Sequence, residues 1–119
     1  MKKIFVIVTV CFIQLSCTNV SEDDLIDATP LPLKVTYIDN VKSIIDNNCI
    51  SCHNNPPTNG APISLLLYEN VKDAVQNRNL IGRISGDVPG GLMPVGGPKL
   101  PQNLIDIIIQ WETDGLLEQ

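Results

Sequence analysis

Apolar residues recur at helical spacing in three stretches of the chain. Four residues mark the apolar face of the first stretch: Ile38, Val41, Ile44 and Ile45. The polar residues 46–48 end this predicted helix. The second helix is predicted from about residue 68 to 77, and a short helical turn follows it at residues 80–84.

The third helix is predicted from about Pro101 to Thr113. A proline is tolerated at a helix start because the N–H it lacks would have no partner there, and Gly115 is placed to cap the other end. The predicted buried face consists of Leu104, Ile108 and Trp111. The β-branched isoleucines at 105 and 107–109 are also compatible with a strand, but the length, the Pro start and the Gly stop favour a helix.

The connecting segments 54–62 and 86–98 are rich in Pro and Gly, and no segment alternates long enough to predict a sheet. The sequence therefore predicts an all-α fold of three to four short helices joined by long loops. With 119 residues and 4% aromatic content, the chain forms one domain at most and has a thin core. Such a domain usually needs disulfides, a metal or a cofactor.

Residues 1–16 are typical of a signal peptide, with Lys2 and Lys3 before the apolar run 4–13. That run is too short to span a bilayer as a helix. The following Leu15-Ser16-Cys17 resembles a bacterial lipobox, although Gln14 stands where an aliphatic residue is usual. We therefore expect Cys17 to be lipidated after export to the cell envelope; the alternative is a soluble export signal that happens to contain Cys17.

Residues 17–33 are acidic and then Pro-containing, which predicts a tether between the membrane and a domain at 34–119. The whole chain has a formal charge of −5, and cleavage would remove two Lys and no acid, which gives −7. An acidic chain excludes a nucleic-acid binder that relies on a basic face.

Cys49-Ile50-Ser51-Cys52-His53 is a C-x-x-C-H motif. In an exported bacterial protein this motif is the attachment signal for a c-type haem. The two thiols add to the vinyl groups of the porphyrin, and the adjacent imidazole of His53 then becomes the proximal iron ligand through Nε2.

Three other interpretations of the motif remain open. A Cys49–Cys52 disulfide can form outside the cell. A thioredoxin-like pair would need a βαβ context, which the sequence lacks. A zinc site would need a fourth ligand beyond Cys49, Cys52 and His53.

Met93 is the candidate for the second axial ligand. It is the one Met that remains after residues 1–16, it lies in a Gly-rich loop before the last helix, and the chain has no second His. A thioether is a soft ligand that suits the haem iron of an electron carrier. The alternative role for Met93 is to fill a gap in the core.

On these marks, residues from about Val35 to Leu117 resemble a small bacterial class I cytochrome c domain. The marks are the first helix ending in the C-x-x-C-H motif, the Met93-Pro94 loop and the last helix with Trp111. The resemblance implies that the first and last helices pack together, with Val41 or Ile45 against Trp111. It also implies that a carbonyl near a proline accepts the His53 N–H; Pro62 is the first choice, ahead of prolines 56 and 57.

The resemblance implies one covalent haem c per chain and one-electron transfer to redox partner proteins, without enzymatic chemistry. Arg83, or Arg78, is a candidate partner for the haem propionates. The family's usual ring of lysines is missing, so no partner can be named. Two alternatives remain: a haem-binding module that senses a gas or peroxide through an open iron position, and a haem-free secreted interaction domain with a Cys49–Cys52 disulfide.

Overall fold

The computed structural model describes residues 32–88 and 91–119. The predicted signal peptide, most of the tether and the lipidation site Cys17 lie outside this range. Over the described residues the chain is helical and has no strand, as the sequence predicts. No helix in this part of the chain is long and apolar enough to cross a bilayer.

The first helical region combines a π-helical turn, Tyr37–Val41, with the helix α1, Lys42–Asn48. Thr36 begins it, because its side chain accepts a hydrogen bond from the Asp39 N–H at 3.3 Å. At the other end, the Asn48 side chain donates to the carbonyl of Ile44 at 2.8 Å. This end of α1 leads directly into the C-x-x-C-H motif.

The helix α2, Tyr68–Asn77, has the predicted bounds, and α3, Leu80–Ser85, contains the predicted short turn. Asn79 separates them in the left-handed conformation, and its side chain accepts from the Gly82 N–H at 3.3 Å. A left-handed Gly86 ends α3. A hydrogen bond from the Met93 N–H to the Arg83 carbonyl, at 3.0 Å, joins α3 to the Met93 loop.

The helix α4, Gln102–Thr113, begins directly after Pro101 and is followed by Gly115 at φ +93°. Its buried face is Ile105, Ile108 and Trp111. The predicted face was wrong at one position, because Leu104 is only half-buried and Ile105 is fully buried instead. The other two positions, Ile108 and Trp111, are buried as predicted.

Aromatic rings join the first and last helical regions at the centre of the core. Trp111 is fully buried, and its ring centroid lies 5.8 Å from that of Tyr37 and 6.3 Å from that of Tyr68. The ring that faces Trp111 from the first helical region is thus Tyr37. Val41 and Ile45, which the resemblance assigned to this contact, are fully buried in the same core.

The segment after α4 is held back onto this aromatic cluster. The Tyr68 hydroxyl donates to the Leu116 carbonyl at 2.7 Å, and Trp111 Nε1 donates to the Leu117 carbonyl at 2.8 Å. The Tyr37 N–H donates to the same Leu117 carbonyl at 2.9 Å. These bonds satisfy the polar atoms of buried rings and fix α4 against the first helical region.

Candidate functional site

The C-x-x-C-H motif forms a tight turn at the end of α1. The Cys49 N–H continues the helix by donating to the Ile45 carbonyl at 2.9 Å. The N–H groups of Cys52 and His53 then both donate to the Cys49 carbonyl, at 3.2 and 2.9 Å. The backbone of the motif is therefore internally bonded, which fixes the two thiols and the imidazole relative to one another.

A backbone carbonyl orients the His53 ring. Nδ1 lies 2.8 Å from the carbonyl oxygen of Ile63, and because a carbonyl can only accept, Nδ1–H is the donor. This tautomer leaves the lone pair on Nε2, the atom that would bind a metal. The backbone also holds the segment in place, since the Leu65 N–H donates to the His53 carbonyl at 2.8 Å.

The choice of Pro62 as the acceptor for His53 was wrong by one residue. Pro62 is exposed, whereas Ile63 is half-buried against the core, so it is the Ile63 carbonyl that faces His53. The second choices, Pro56 and Pro57, are exposed as well. The neighbouring proline indicated the right segment for the His53 hydrogen bond. The carbonyl that accepts this bond is the one that the backbone turns toward His53, and that is the Ile63 carbonyl.

Residues of the loop that follows the motif form hydrogen bonds to it. The Thr58 N–H donates to the Cys52 carbonyl at 2.8 Å, and the Thr58 hydroxyl donates to the Ser51 carbonyl at 3.2 Å. The Asn59 amide donates to Cys52 Sγ at 3.5 Å from a left-handed backbone, φ +51°. Nothing in the sequence pattern signalled these contacts, because they depend on the loop folding back onto the motif.

One cavity of about 750 Å³ brings the predicted cofactor residues together. Cys49, Cys52, His53 and Met93 all line it. Much of the remaining wall is apolar and includes Leu65, Ala74, Leu80, Ile84 and Leu100. The volume lies within the roughly 300–1,000 Å³ range of cofactor and ligand pockets.

Met93 is held in this wall by α3. Its N–H donates to the Arg83 carbonyl at 3.0 Å, and its side chain packs against the buried core. Gly96, at φ +74°, turns the loop after Met93 in a conformation that favours glycine. The prediction that glycines permit the loop to approach the site is consistent with this turn.

Both candidate arginines line the cavity, at the end of α2 and on α3. Arg78 Nε is 2.6 Å from a carboxylate oxygen of Asp73 on the surface. Arg83 lies near Gly91, where an added Cβ would come within 3.1 Å of its Nη1. No carboxylate among the described residues lines the cavity, so its charged groups are two guanidinium cations.

The two thiols of the motif are not bonded to each other. Burial raises the pKa of the Cys49 thiol to about 11, which keeps it protonated at neutral pH. Among the described residues, no three His, Cys, Asp or Glu side chains come together as a metal cluster. The zinc interpretation therefore gains no additional ligand from the fold.

No family model, no curated protein and no solved structure matches this chain. The chemistry of the site is therefore argued from its own residues: two thiols, an imidazole with a free Nε2 and a thioether, all on one largely apolar cavity.

Proposed function

We propose that the chain is a class I cytochrome c-like electron carrier of the cell envelope, with one covalently attached haem. The observation that carries the proposal is the shared cavity, which gathers the C-x-x-C-H motif and Met93 although forty positions separate His53 from Met93. The alternatives in which Met93 fills a core gap, or the motif is only a disulfide, do not require this convergence.

The residues of the cavity fit a haem on chemical grounds. Cys49 and Cys52 would hold it through thioether bonds, His53 would ligate its iron through Nε2, and Met93 would ligate it through sulfur. The hydrogen bond to Ile63 already selects the tautomer that ligation requires. Arg83 lines the cavity and would be the partner for a propionate.

When bound, the haem supplies an iron that gains and loses one electron. The chain's own contribution would be to hold His53 and Met93 on the cavity lining as the two iron ligands. The thioether of Met93 would give a higher reduction potential than a second histidine. The largely apolar wall would favour the oxidation state of the iron that carries the lower charge.

We further propose that Cys17 carries a lipid and that residues 17–33 tether the domain to a membrane outside the cytoplasm. An export signal and a haem-attachment motif are mutually consistent, because the motif is expected in exported proteins. The lipobox-like Leu15-Ser16-Cys17 and the acidic segment after it support this placement.

The decisive experiment is a haem stain on a denaturing gel, after expression in a host that attaches c-type haem. Covalent haem survives denaturation, so a stained band at the size of the chain is expected. The matched control is the Cys49→Ala, Cys52→Ala double variant, which should not stain. An unstained wild-type band would contradict the proposal and favour a haem-free domain with a Cys49–Cys52 disulfide.

A spectrum of the stained protein tests the second ligand. The ferric form should show the weak absorption near the red end that marks Met-ligated haem. Its absence, together with binding of carbon monoxide or peroxide to the resting protein, would favour the open-coordination sensor instead.

A further inference from the structure

The two loops that carry the haem-binding residues contain no formal charge. Between Asp46 and Glu69 the sequence has no Asp, Glu, Lys or Arg, and the same holds between Asp87 and Lys99. The first segment includes the C-x-x-C-H motif and the second includes Met93. The remainder of the domain is densely charged, so the charges are distributed away from these two loops.

The structure places both uncharged loops at the mouth of the cavity. Five residues from these loops line the cavity and are also exposed: Ser51, Asn59, Gly60, Pro62 and Val95. We call these five residues the uncharged collar. Val95 is its main apolar residue, with 80% of its surface exposed beside the ligand loop.

The two arginines at the mouth do not give this surface a strong charge. Arg78 is paired with Asp73 at 2.6 Å, and Arg83 is assigned to a haem carboxylate in the proposed function. A partner with an acidic or basic face would therefore find few opposite charges here. It would lose hydration of its own charges without compensation.

We propose that the uncharged collar is the docking surface for a redox protein whose electron-transfer face is itself uncharged and partly apolar. The inference rests on the proposed function, since it takes the cavity mouth as the place where electrons leave. We expect this encounter to be weak and to bury less than about 1,200 Å², as electron-transfer complexes do.

The composition of the collar favours a protein over a lipid surface. Helices and loops that bind membrane interfaces combine cationic side chains with aromatic or leucine-rich faces. The collar has neither a cation nor an aromatic ring. A protein face of similar neutrality can pack against Val95 and hydrogen-bond to Asn59 and Ser51.

The test uses voltammetry of the haem-loaded full chain on gold, with Cys17→Ser to keep the protein in solution. The probes are three alkanethiol monolayers that end in mixed methyl and hydroxyl groups, in carboxylates or in amines. We expect the neutral monolayer to give the strongest electron-transfer signal. That signal should change by less than about twofold between about 0.01 M and about 0.1 M salt, a range over which screening of exposed charges changes greatly.

Two variants locate the surface, one on each loop: Val95→Lys and Pro62→Lys. Each should weaken binding to the neutral monolayer roughly tenfold, which corresponds to about 1.4 kcal/mol. Both must keep the haem stain, the red absorption and the potential. The matched control is Ile38→Lys, which places the same charge on an apolar residue that is 47% exposed and does not line the cavity.

Several results would overturn the proposal. One is that both loop variants bind the neutral monolayer as strongly as the wild type does. Another is that Ile38→Lys weakens this binding as much as the loop variants do. A third is a stronger, salt-sensitive electron-transfer signal on the carboxylate or amine monolayer. Sedimentation as a dimer that Val95→Lys disrupts would assign the surface to a second copy, and binding to phosphatidylcholine vesicles would assign it to lipid. A chain without stained haem gives no signal on any monolayer, so failure of the proposed function is distinguishable.

Discussion

At the scale of single residues, the proposed function depends on Met93, whose thioether would distinguish an electron carrier from a haem protein with an open iron position. Replacing Met93 with Ala removes the thioether from the cavity. We expect the red absorption to disappear and the potential to fall by roughly 60 mV or more, which is a tenfold preference for the ferric state. The stain should persist, because Cys49 and Cys52 are unchanged.

The control for this prediction is Leu92→Ala, which truncates the neighbouring, partly exposed side chain. It should keep both the red absorption and the potential. A Met93→Ala protein with the wild-type potential would show that Met93 is not an iron ligand.

Asp114 provides a pH-dependent contact that can be tested on its own. Its carboxylate accepts from the Val35 N–H at 2.7 Å and from the Gln110 amide at 2.8 Å, and these bonds hold the pKa of Asp114 below its usual range. A lowered folded-state pKa means that this stabilisation is complete at neutral pH. It is lost as the pH falls through the ordinary aspartate range toward the lower folded-state value.

Asp114→Asn should therefore lower the melting temperature at pH 7, and its difference from wild type should shrink as the pH falls below about 4. Thermal melts followed by circular dichroism at several pH values provide the measurement. Asp87→Asn removes the same charge from another carboxyl group and serves as the control. A pH-independent difference for Asp114→Asn would exclude the linkage.

At the scale of elements, the short helix α3 depends on one residue, Asn79. Asn79 is left-handed at φ +53° and also caps the helix through the Gly82 N–H. Asn79→Ala loses the cap and strains the backbone, so we expect a loss of about 1–2 kcal/mol in unfolding free energy. Asn79→Gly tolerates the left-handed backbone, so we expect it to lower the unfolding free energy by only a few tenths of about 1 kcal/mol.

Denaturant unfolding measures these two losses, and the red absorption reports on Met93. The Arg83 carbonyl of α3 holds the Met93 N–H. We therefore expect the Asn79→Ala protein to lose the red absorption at a lower denaturant concentration than the wild-type protein does. Equal stability of the Ala and Gly variants would show that the left-handed backbone at Asn79 carries no cost, and equal stability of both variants with the wild type would show that the cap contributes nothing.

Helix positions were the most predictable part of the fold. Local signals placed α2, α3 and α4, because apolar periodicity, Pro101 and Gly115 act within one or two turns. The exact buried face of α4 was not predictable, since the choice between Leu104 and Ile105 depends on the angle at which the helix meets the core.

The parts of the site that were predictable from the sequence are the side chains whose chemistry marks them. Cys49, Cys52, His53 and Met93 were identified from chemistry and position, and all four line the cavity. The Ile63 carbonyl and the Asn59 amide were missed. Backbone carbonyls carry no sequence signature, and both contacts arise from loops folding onto the motif.

At the scale of the whole molecule, the proposed haem would complete the core, because it would fill a cavity of about 750 Å³ whose wall is largely apolar. The Cys49→Ala, Cys52→Ala variant should therefore be exported but unstable, with a broad and early thermal transition. Cooperative melting at the wild-type temperature would show that the helices form a self-sufficient core.

The proposed lipid anchor at Cys17 can also be tested at the scale of the whole molecule. Cys17→Ser should release the protein from membranes without loss of haem, because the attachment residues lie in the separate domain. Fractionation after a high-salt wash, followed by the stain, is the measurement. The prediction assumes full lipoprotein modification with several acyl chains, since one chain binds only marginally. A Cys17→Ser protein that still sediments with membranes would contradict the lipid anchor.

The bonds that join Val35 and Tyr37 to Asp114 and Leu117 connect the two ends of the described domain. The Leu117 carbonyl accepts from both the Tyr37 N–H and Trp111 Nε1, so the last helix closes over the aromatic cluster only when Leu117 is in place. A chain made from its amino end presents Cys49 and Cys52 before Leu117. In the proposed carrier, this order would leave the motif accessible to the cofactor before the bonds to Leu117 close the domain.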